Sequence, residues 1–332
     1  MTANPILAEQ TRGSTVENIH RGAYVICDAD GTVIASAGDI ARPVFPRSAI
    51  KSMQALAMVT SGAIDSLALT DAELALACAS HHGEDVHVDG VAAFLDHIGR
   101  GPADLECGAH PPTNSAARKA LLASGGAPTA LHNNCSGKHS GMLSVARALG
   151  IDATGYVERD HPVQAAVRKA IETVIGAPLS EDLCGRDGCS IPTYAAPLQG
   201  FAQGFARMAT GKGLPDDLAA AAKRIFDAAT SHPLLVAGTG HLDTLVMEAF
   251  GGRAMQKVGA EGVQCGAIRD KGWGYALKCD DGNIPASQAM VAGLLLRHAD
   301  PDAAQRDVLE RFAHQPLTNV RGFTVGEMRS AI

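Results

Sequence analysis

The chain has 332 residues, of which 46% are hydrophobic and 19% charged, a balance typical of a compact globular protein and not of a disordered one. A formal net charge of −7, without clusters of Lys or Arg, argues against a nucleic-acid partner. The first twelve residues lack the pattern of a signal peptide and no run of about eighteen apolar residues occurs, so we expect a cytoplasmic protein without a membrane span.

Strand patterns lie towards both ends of the chain, and helical patterns fill the middle. The sequence predicts strands over 16–27 and 32–36, joined by a turn at 28–31. Helices are predicted over 48–61, 70–79, 113–124, 138–149 and 160–175, the last with Asp160 as N-cap. After these, the patterns predict a helix over 214–230, strands over 254–258 and 274–279, helices over 285–298 and 301–312, and a strand over 320–325.

This order of elements predicts an α/β protein in which both chain ends contribute strands to one sheet. Residues 1–46 and 195–332 form the predicted α/β region, and residues 47–194 form a mainly helical region. We expect the two regions to make one catalytic unit, with the site in the cleft between them.

The first candidate for chemistry is Ser48, which lies three residues before Lys51 at a predicted helix start. This spacing puts both side chains on one helix face, where a neutral Lys is a competent base for a serine nucleophile. The alternative is structural, because Ser is a favoured N-cap and Lys51 would then be solvated.

Two later segments extend this pattern. Ser80 opens a polar cluster, 80–84, directly after an apolar helical run, although a helix C-terminus alone also accounts for such a cluster. Lys257 lies on a predicted strand beside Gly259, where small residues permit close approach of a ligand. The order of Ser-x-x-Lys, a later Ser and a late Lys-x-Gly is similar to that of serine β-lactamases and penicillin-binding proteins.

Two short polar segments carry thiols, the one around Cys135 and the Gly-rich one that ends at Cys189. A thiolate pair with a nitrogen ligand suits Zn²⁺ and leaves a fourth position open. No Cys-x-x-Cys pair occurs, so free thiols or a redox pair remain alternatives to a metal. The other cysteines are scattered, and we expect most thiols to be reduced.

Over essentially its whole length the chain resembles the rhizobial-type, class 3 L-asparaginases. The segments that carry the resemblance are 16–22, 46–51, 80–84 and the loops of Cys135 and Cys189. The resemblance implies a serine β-lactamase-like fold, a homodimer, and hydrolysis of L-asparagine to L-aspartate and ammonia.

The resemblance also implies roles for individual residues. It implies two Ser-Lys tandems around one pocket, Ser48 with Lys51 and Ser80 with Lys257, each Lys being neutral beside its Ser. It implies zinc held by Cys135, Lys138 and Cys189, and places Arg47, His139 and Asp187 near the substrate.

Two other functions remain open from the sequence. One is a different serine amidase or a β-lactam-recognising hydrolase, since a fold does not determine a substrate. The other is a zinc-dependent binding protein in which the Ser-Lys pairs are structural.

Overall fold

The computed structural model describes residues 3–332, and an antiparallel sheet occupies its centre. The strands are Ile6–Arg12 (β1), Thr15–Cys27 (β2), Val33–Ala37 (β3), Pro43–Val44 (β4), Cys184–Arg186 (β5), Pro192–Tyr194 (β6), Ala196–Pro197 (β7), Ala254–Gly259 (β8), Val263–Ile268 (β9), Trp273–Cys279 (β10), His314–Thr318 (β11) and Thr324–Ser330 (β12). Eight of them form the sheet in the order β11-β12-β1-β2-β10-β9-β8, with β3 also paired to β2. Strand β8 is therefore an edge strand, and β4 with β7 and β5 with β6 form two small ladders.

Helices cover both faces of this sheet. They are Lys51–Thr60 (α1), Ala63–Ser66 (α2), Asp71–Ala77 (α3), Asp85–His97 (α4), Ser115–Ala123 (α5), Ser136–Leu149 (α6), Pro162–Ile175 (α7), Leu198–Thr210 (α8), Asp216–Ser231 (α9), Pro233–Val236 (α10), Leu242–Phe250 (α11), Ile284–His298 (α12) and Ala303–Ala313 (α13). None of the helices in residues 3–332 combines the length and apolar character needed to cross a lipid bilayer.

Alternation along β2 explains why there are two hydrophobic cores. Successive side chains of a strand point to opposite faces. Val25 accordingly packs into the core shared with α1, α3 and α6–α9, and the adjacent Ile26 packs into the core shared with α11, α12 and α13. The sheet is thus a layer between two helical layers, which requires β2 to be apolar on both faces near Cys27.

The mixed α/β class and the sheet built from both chain ends are confirmed. Two local predictions are wrong. The predicted strand over 320–325 is largely a turn, because the side chain of Asn319 accepts hydrogen bonds from the amides of Arg321 and Phe323. The N-cap of α7 is His161 rather than Asp160, since the His161 ring accepts a hydrogen bond from Val163 N at 3.2 Å.

Candidate active site

Ser48 lies in a single 3-10 turn, Arg47–Ile50, that leads directly into α1. Arg47 has a φ of 51°, a left-handed conformation that non-glycine residues rarely adopt and that is concentrated at functional turns. Gly259, at the end of β8, lies against this turn, and an added Cβ there would approach the Pro46 carbonyl oxygen to 2.6 Å. The sheet edge thus contacts the Ser48 turn through main chain, so Gly259 accommodates protein backbone there.

The Lys51 side chain is fully buried beneath this turn. Its Nζ donates to the carbonyl oxygens of Ala79, at 2.5 Å, and Asn134, at 3.1 Å, and neither bond goes to Ser48. Burial lowers the pKa of Lys51 from 10.5 to about 8; the thiol of Cys135 opposes this, and nearby cations add to it. The neutral form of the Lys51 amine is therefore accessible near physiological pH. The hydrogen bonds of Lys51 join the start of α1 to the segments of Ala79 and Asn134.

Ser80 follows α3 and is 8% exposed, the same fraction as Ser48. Its amide donates to Val236 O at 2.9 Å, and its hydroxyl lies 3.5 Å from the side-chain nitrogen of Asn134. The next residue, His81, is hydrogen-bonded through Nε2 to the hydroxyl of Ser136 at 2.8 Å. These bonds attach the Ser80 segment to α10 on one side and to the start of α6 on the other.

Lys257 lies on β8 with its side chain completely buried. Its Nζ is 3.3 Å from Oδ2 of Asp243 and 3.1 Å from Val258 O. The charge of Lys257 acts on both Cys78 and His82, which are two residues before and two residues after Ser80. Lys257 thus lies in the electrostatic environment of Ser80, although its two hydrogen bonds go elsewhere.

The two thiol segments meet at the start of α6. Nζ of Lys138 donates to Sγ of Cys189 at 2.9 Å, and all three predicted metal ligands are buried. A hydrogen bond from Cys189 lowers the pKa of Cys135, and Lys138 and Lys51 add to the effect, whereas burial opposes it. Although burial disfavours its charge, the two thiols raise the pKa of Lys138. The thiolate form of Cys135 is therefore favoured, and Lys138 and Lys51 are the cationic groups near it.

The main chains of α6 and α3 approach each other closely, which brings the Cys135 cluster near the segment of Ser80. A Cβ added to Gly137 would lie 2.2 Å from the carbonyl oxygen of Leu76 in α3. Glycine at this position lets α6, which carries Lys138, pack directly on the helix that leads to Ser80.

Beside this cluster, Nε of Arg47 bonds Oδ1 of Asp187 at 2.7 Å. Burial would raise the pKa of Asp187, but Lys138 and Arg47 outweigh it and lower the pKa. The Arg47 side chain is 26% exposed and that of Asp187 10%, so this pair has the greater access to solvent. Opposite charges on this more exposed side of the cluster, here called its opening, suit a zwitterionic ligand.

His139 is fully buried, which separates it from the two more accessible residues of the predicted substrate-binding group. Its Nδ1 is 2.6 Å from the hydroxyl of Tyr156, and its Nε2 has no partner in residues 3–332. Burial and the charges of Lys138 and Lys51 lower its pKa well below the usual range. His139 is thus a neutral imidazole behind the Lys138 cluster.

The structure adds three polar residues that the sequence analysis missed: Asp243, Asn134 and Tyr156. Asp243 binds Lys257, Asn134 contacts both Lys51 and Ser80, and Tyr156 binds His139. Asn134 directly precedes Cys135, so the polar motif around Cys135 is a sequence signal for it. A lone Asp in a short helix and a lone Tyr within a turn carry no such signal.

The donor set at Cys135 fits a zinc ion. Two thiols and an amine converge in a buried pocket, with one thiol already inclined to ionise. Cys135, Lys138 and Cys189 would hold the ion through two sulfur atoms and one nitrogen atom, donors that suit zinc. Zinc would displace the protons of Lys138 and Cys189, which makes its affinity pH-dependent.

Comparison with solved structures gives matches over most of the chain at low sequence identity. A β-lactamase from Mycobacterium bovis is 14% identical, with 83% of this chain and 94% of that chain covered and a TM-score of 0.39. A putative β-lactamase from Bacteroides dorei is 12% identical over 83% and 93%, with a TM-score of 0.42. A simvastatin synthase mutant from Aspergillus terreus is 11% identical over 88% and 90%, with a TM-score of 0.34.

Comparison with curated proteins gives no significant match. Comparison with protein families gives one that spans nearly the whole chain, since the profile described as L-asparaginase II matches residues 8–330. The match includes every residue of the candidate site, and the members of this family are amidohydrolases that act on a small molecule. The chain belongs to the L-asparaginase II family.

Proposed function

We propose that the protein hydrolyses L-asparagine to L-aspartate and ammonia by a Ser-Lys nucleophilic mechanism. One observation carries the mechanism: the Lys51 amine follows Ser48 by one helical turn and bonds the carbonyl of Ala79, next to Ser80. A single buried amine with a lowered pKa therefore adjoins two serines. A Ser hydroxyl needs such a base to attack an amide.

In the proposed first step, Oγ of Ser48 attacks the side-chain amide carbon of asparagine while Lys51 accepts the hydroxyl proton. The C–N bond then breaks, Lys51 returns the proton to the leaving nitrogen, and ammonia departs. A water molecule, deprotonated by Lys51, then attacks the ester carbon. The C–O bond to Ser48 breaks, Lys51 returns the proton to Oγ of Ser48, and aspartate departs. Ser80 and Lys257 relay protons or stabilise the developing oxyanion, and an exchange of roles between the serines is the alternative.

The proposed substrate contacts use the charged pair at the opening. Arg47 bonds Asp187 through Nε, which leaves the terminal guanidinium nitrogens for the α-carboxylate of the substrate. Asp187 binds the α-ammonium, and the buried His139 supports the site from behind Lys138. Zinc held by Cys135, Lys138 and Cys189 would supply positive charge that favours the neutral form of the Lys51 amine, and it would hold the two loops together.

The arrangement also supports one catalytic unit formed by residues 1–46 and 195–332 with residues 47–194. Ser48, Lys51 and Ser80 come from the helical region, while Lys257 comes from the sheet. The resemblance to class 3 asparaginases further supports a homodimer and a cytoplasmic location as parts of this proposal.

The proposal is tested by ammonia release from the purified protein given L-asparagine, L-glutamine or a β-lactam reporter separately. We expect release that is selective for asparagine, because the chain belongs to the L-asparaginase II family. The charged pair at the opening matches the zwitterion of either amino acid, which distinguishes both from a β-lactam. Turnover of the β-lactam reporter without ammonia release from asparagine would favour the alternative hydrolase. Absence of any turnover with metal bound would favour a binding protein.

We expect kcat to increase with pH and to level off above about pH 8. The active form of Lys51 is the neutral amine, whose pKa burial lowers to about 8, so protonation removes activity as the pH falls below that value. The measurement is kcat with saturating asparagine from pH 5 to 10. A plateau that extends down to pH 6 would contradict the role of Lys51 as base.

A further inference from the structure

Asp243 lies in the first turn of α11, beyond the outer edge of the central sheet. Its Oδ2 accepts hydrogen bonds from Val258 N at 2.8 Å and from Lys257 Nζ at 3.3 Å, and its Oδ1 accepts one from Gln256 Nε2 at 3.4 Å. Consecutive side chains of β8 point to opposite faces of the sheet. The Asp243 carboxylate therefore accepts hydrogen bonds from side chains on both faces of β8 and from a main-chain amide at the free edge of this strand.

The hydrogen-bond partners of Asp243 suit a carboxylate anion. All its partners are donors, and its position in the first turn of a helix favours negative charge. The Asp243 side chain is only 1% exposed, and a buried carboxylate is stable only with a cation beside it. Lys257 is that cation, since it is the basic side chain within salt-bridge distance.

The titratable groups that face Lys257 come from every element around it: Lys51, Cys78, His82, His241, Asp243 and Cys265. Burial raises the pKa of the thiol of Cys78 to about 12 and lowers that of His82 to about 4. Burial shifts Cys265 and His241 in the same directions, so these four groups are neutral near pH 7. Among these groups, Asp243 is the only anion.

We propose that Asp243 is a positioning residue that holds Lys257 as a fixed ammonium ion. Lys257 then supplies positive charge and a hydrogen-bond donor to the Ser80 side of the site, and does not act as a base. An ammonium has three N–H donors, of which two go to Asp243 and Val258 O. The third remains for the Ser80 hydroxyl or the amide oxygen of the substrate. The catalytic value of this charge rests on the proposed function.

The charge of Lys257 is measurable without turnover. Lysines labelled with ¹³C at Cε report protonation by NMR, and the signal of Lys257 is identified by its loss in Lys257→Met. We expect this signal in the unmodified protein to be that of an ammonium at about pH 7, because the adjacent Asp243 carboxylate favours the charged form. A neutral-amine signal for Lys257 at that pH would overturn the proposal.

Asp243→Asn keeps the shape and the acceptor oxygen but removes the charge. We expect the ammonium form of Lys257 to be less favoured in this variant, so that its NMR signal moves towards that of a neutral amine. In the enzyme assay, kcat should decrease more at about pH 9 than at about pH 7, with KM for asparagine changed less than kcat. An unchanged NMR signal of Lys257, or a decrease in kcat that is equal at every pH, would show that Asp243 is only structural.

Ser287→Ala is the matched control. Its hydroxyl accepts from Gln264 at 3.0 Å, and Gln264 in turn binds Gln256, so the variant perturbs the same buried network without a change of charge. We expect its pH profile and the Lys257 signal to be unchanged. If the unmodified protein releases no ammonia while the Lys257 signal is that of an ammonium, the proposed function fails and the assignment of Asp243 remains.

Discussion

Ser48→Ala should decrease ammonia release from asparagine by at least about 10⁴-fold, because it removes the atom that forms the acyl-enzyme. Ser48 makes no side-chain hydrogen bond that organises the first turn, which Pro46 O and the main chain of Ala49 close instead. We therefore expect the variant to fold normally. Initial rates of ammonia release, with far-UV circular dichroism and thermal unfolding of the same samples, measure both effects.

The matched control for this experiment is Ser52→Ala, one turn further along. Ser52 is fully buried and its hydroxyl has no hydrogen-bond partner in the described part of the chain. Removal of an unsatisfied hydroxyl costs little stability, so activity should stay within about twofold. Near-normal activity of Ser48→Ala would assign the nucleophile elsewhere, and Ser80→Ala would then be expected to abolish release.

Cys135→Ala should abolish metal binding by the purified protein. The variant removes the thiol with the lowered pKa, which leaves Lys138 and Cys189 without the ligand that ionises most readily. We expect about one zinc ion per chain in the unmodified protein and none in the variant, measured by elemental analysis of desalted samples. Zinc should raise the unfolding temperature of the unmodified protein only, since a ligand stabilises the state that binds it.

Cys27→Ala is the control for the loss of a buried thiol. Cys27 lies in the core at the end of β2, where burial raises the pKa of its thiol to about 12. We expect this variant to lose some stability and to retain its zinc. Equal zinc content in Cys135→Ala and the unmodified protein would contradict the assigned ligands.

The sequence predicted the parts of the fold that depend on local pattern. The helix that ends at Gly150 and the one that ends at Gly176 were predicted because left-handed glycines mark their ends, and both glycines have positive φ. Strands β1, β9 and β11 and helices α4, α8 and α11 were missed, as were the short elements β4–β7, α2 and α10. β9 is buried at every position, so it lacks the alternation that identifies a strand with one exposed face.

The residues of the candidate site also divide into those that a local motif identifies and those that only the tertiary fold brings together. Short motifs located Ser48, Lys51 and the Cys135 segment, because their chemistry depends on spacing within one turn or one loop. The contacts of Lys257 depend on which strand lies at the sheet edge and on where α11 crosses it. Such contacts join residues that are distant in sequence, so no local pattern identifies Asp243 as the partner of Lys257.

The position of β1 in the sheet has a consequence for how the protein folds. β1 pairs with both β2 and β12, and Ala8 lies opposite Ser330. The helices of the middle region are able to form during synthesis of the chain. Strand β1, in contrast, has one unpaired edge until β12 has been synthesised. Pairing over such a separation is slow because a large loop must close first. During that interval β1 exposes an edge to other chains, so the yield of refolding should depend on protein concentration.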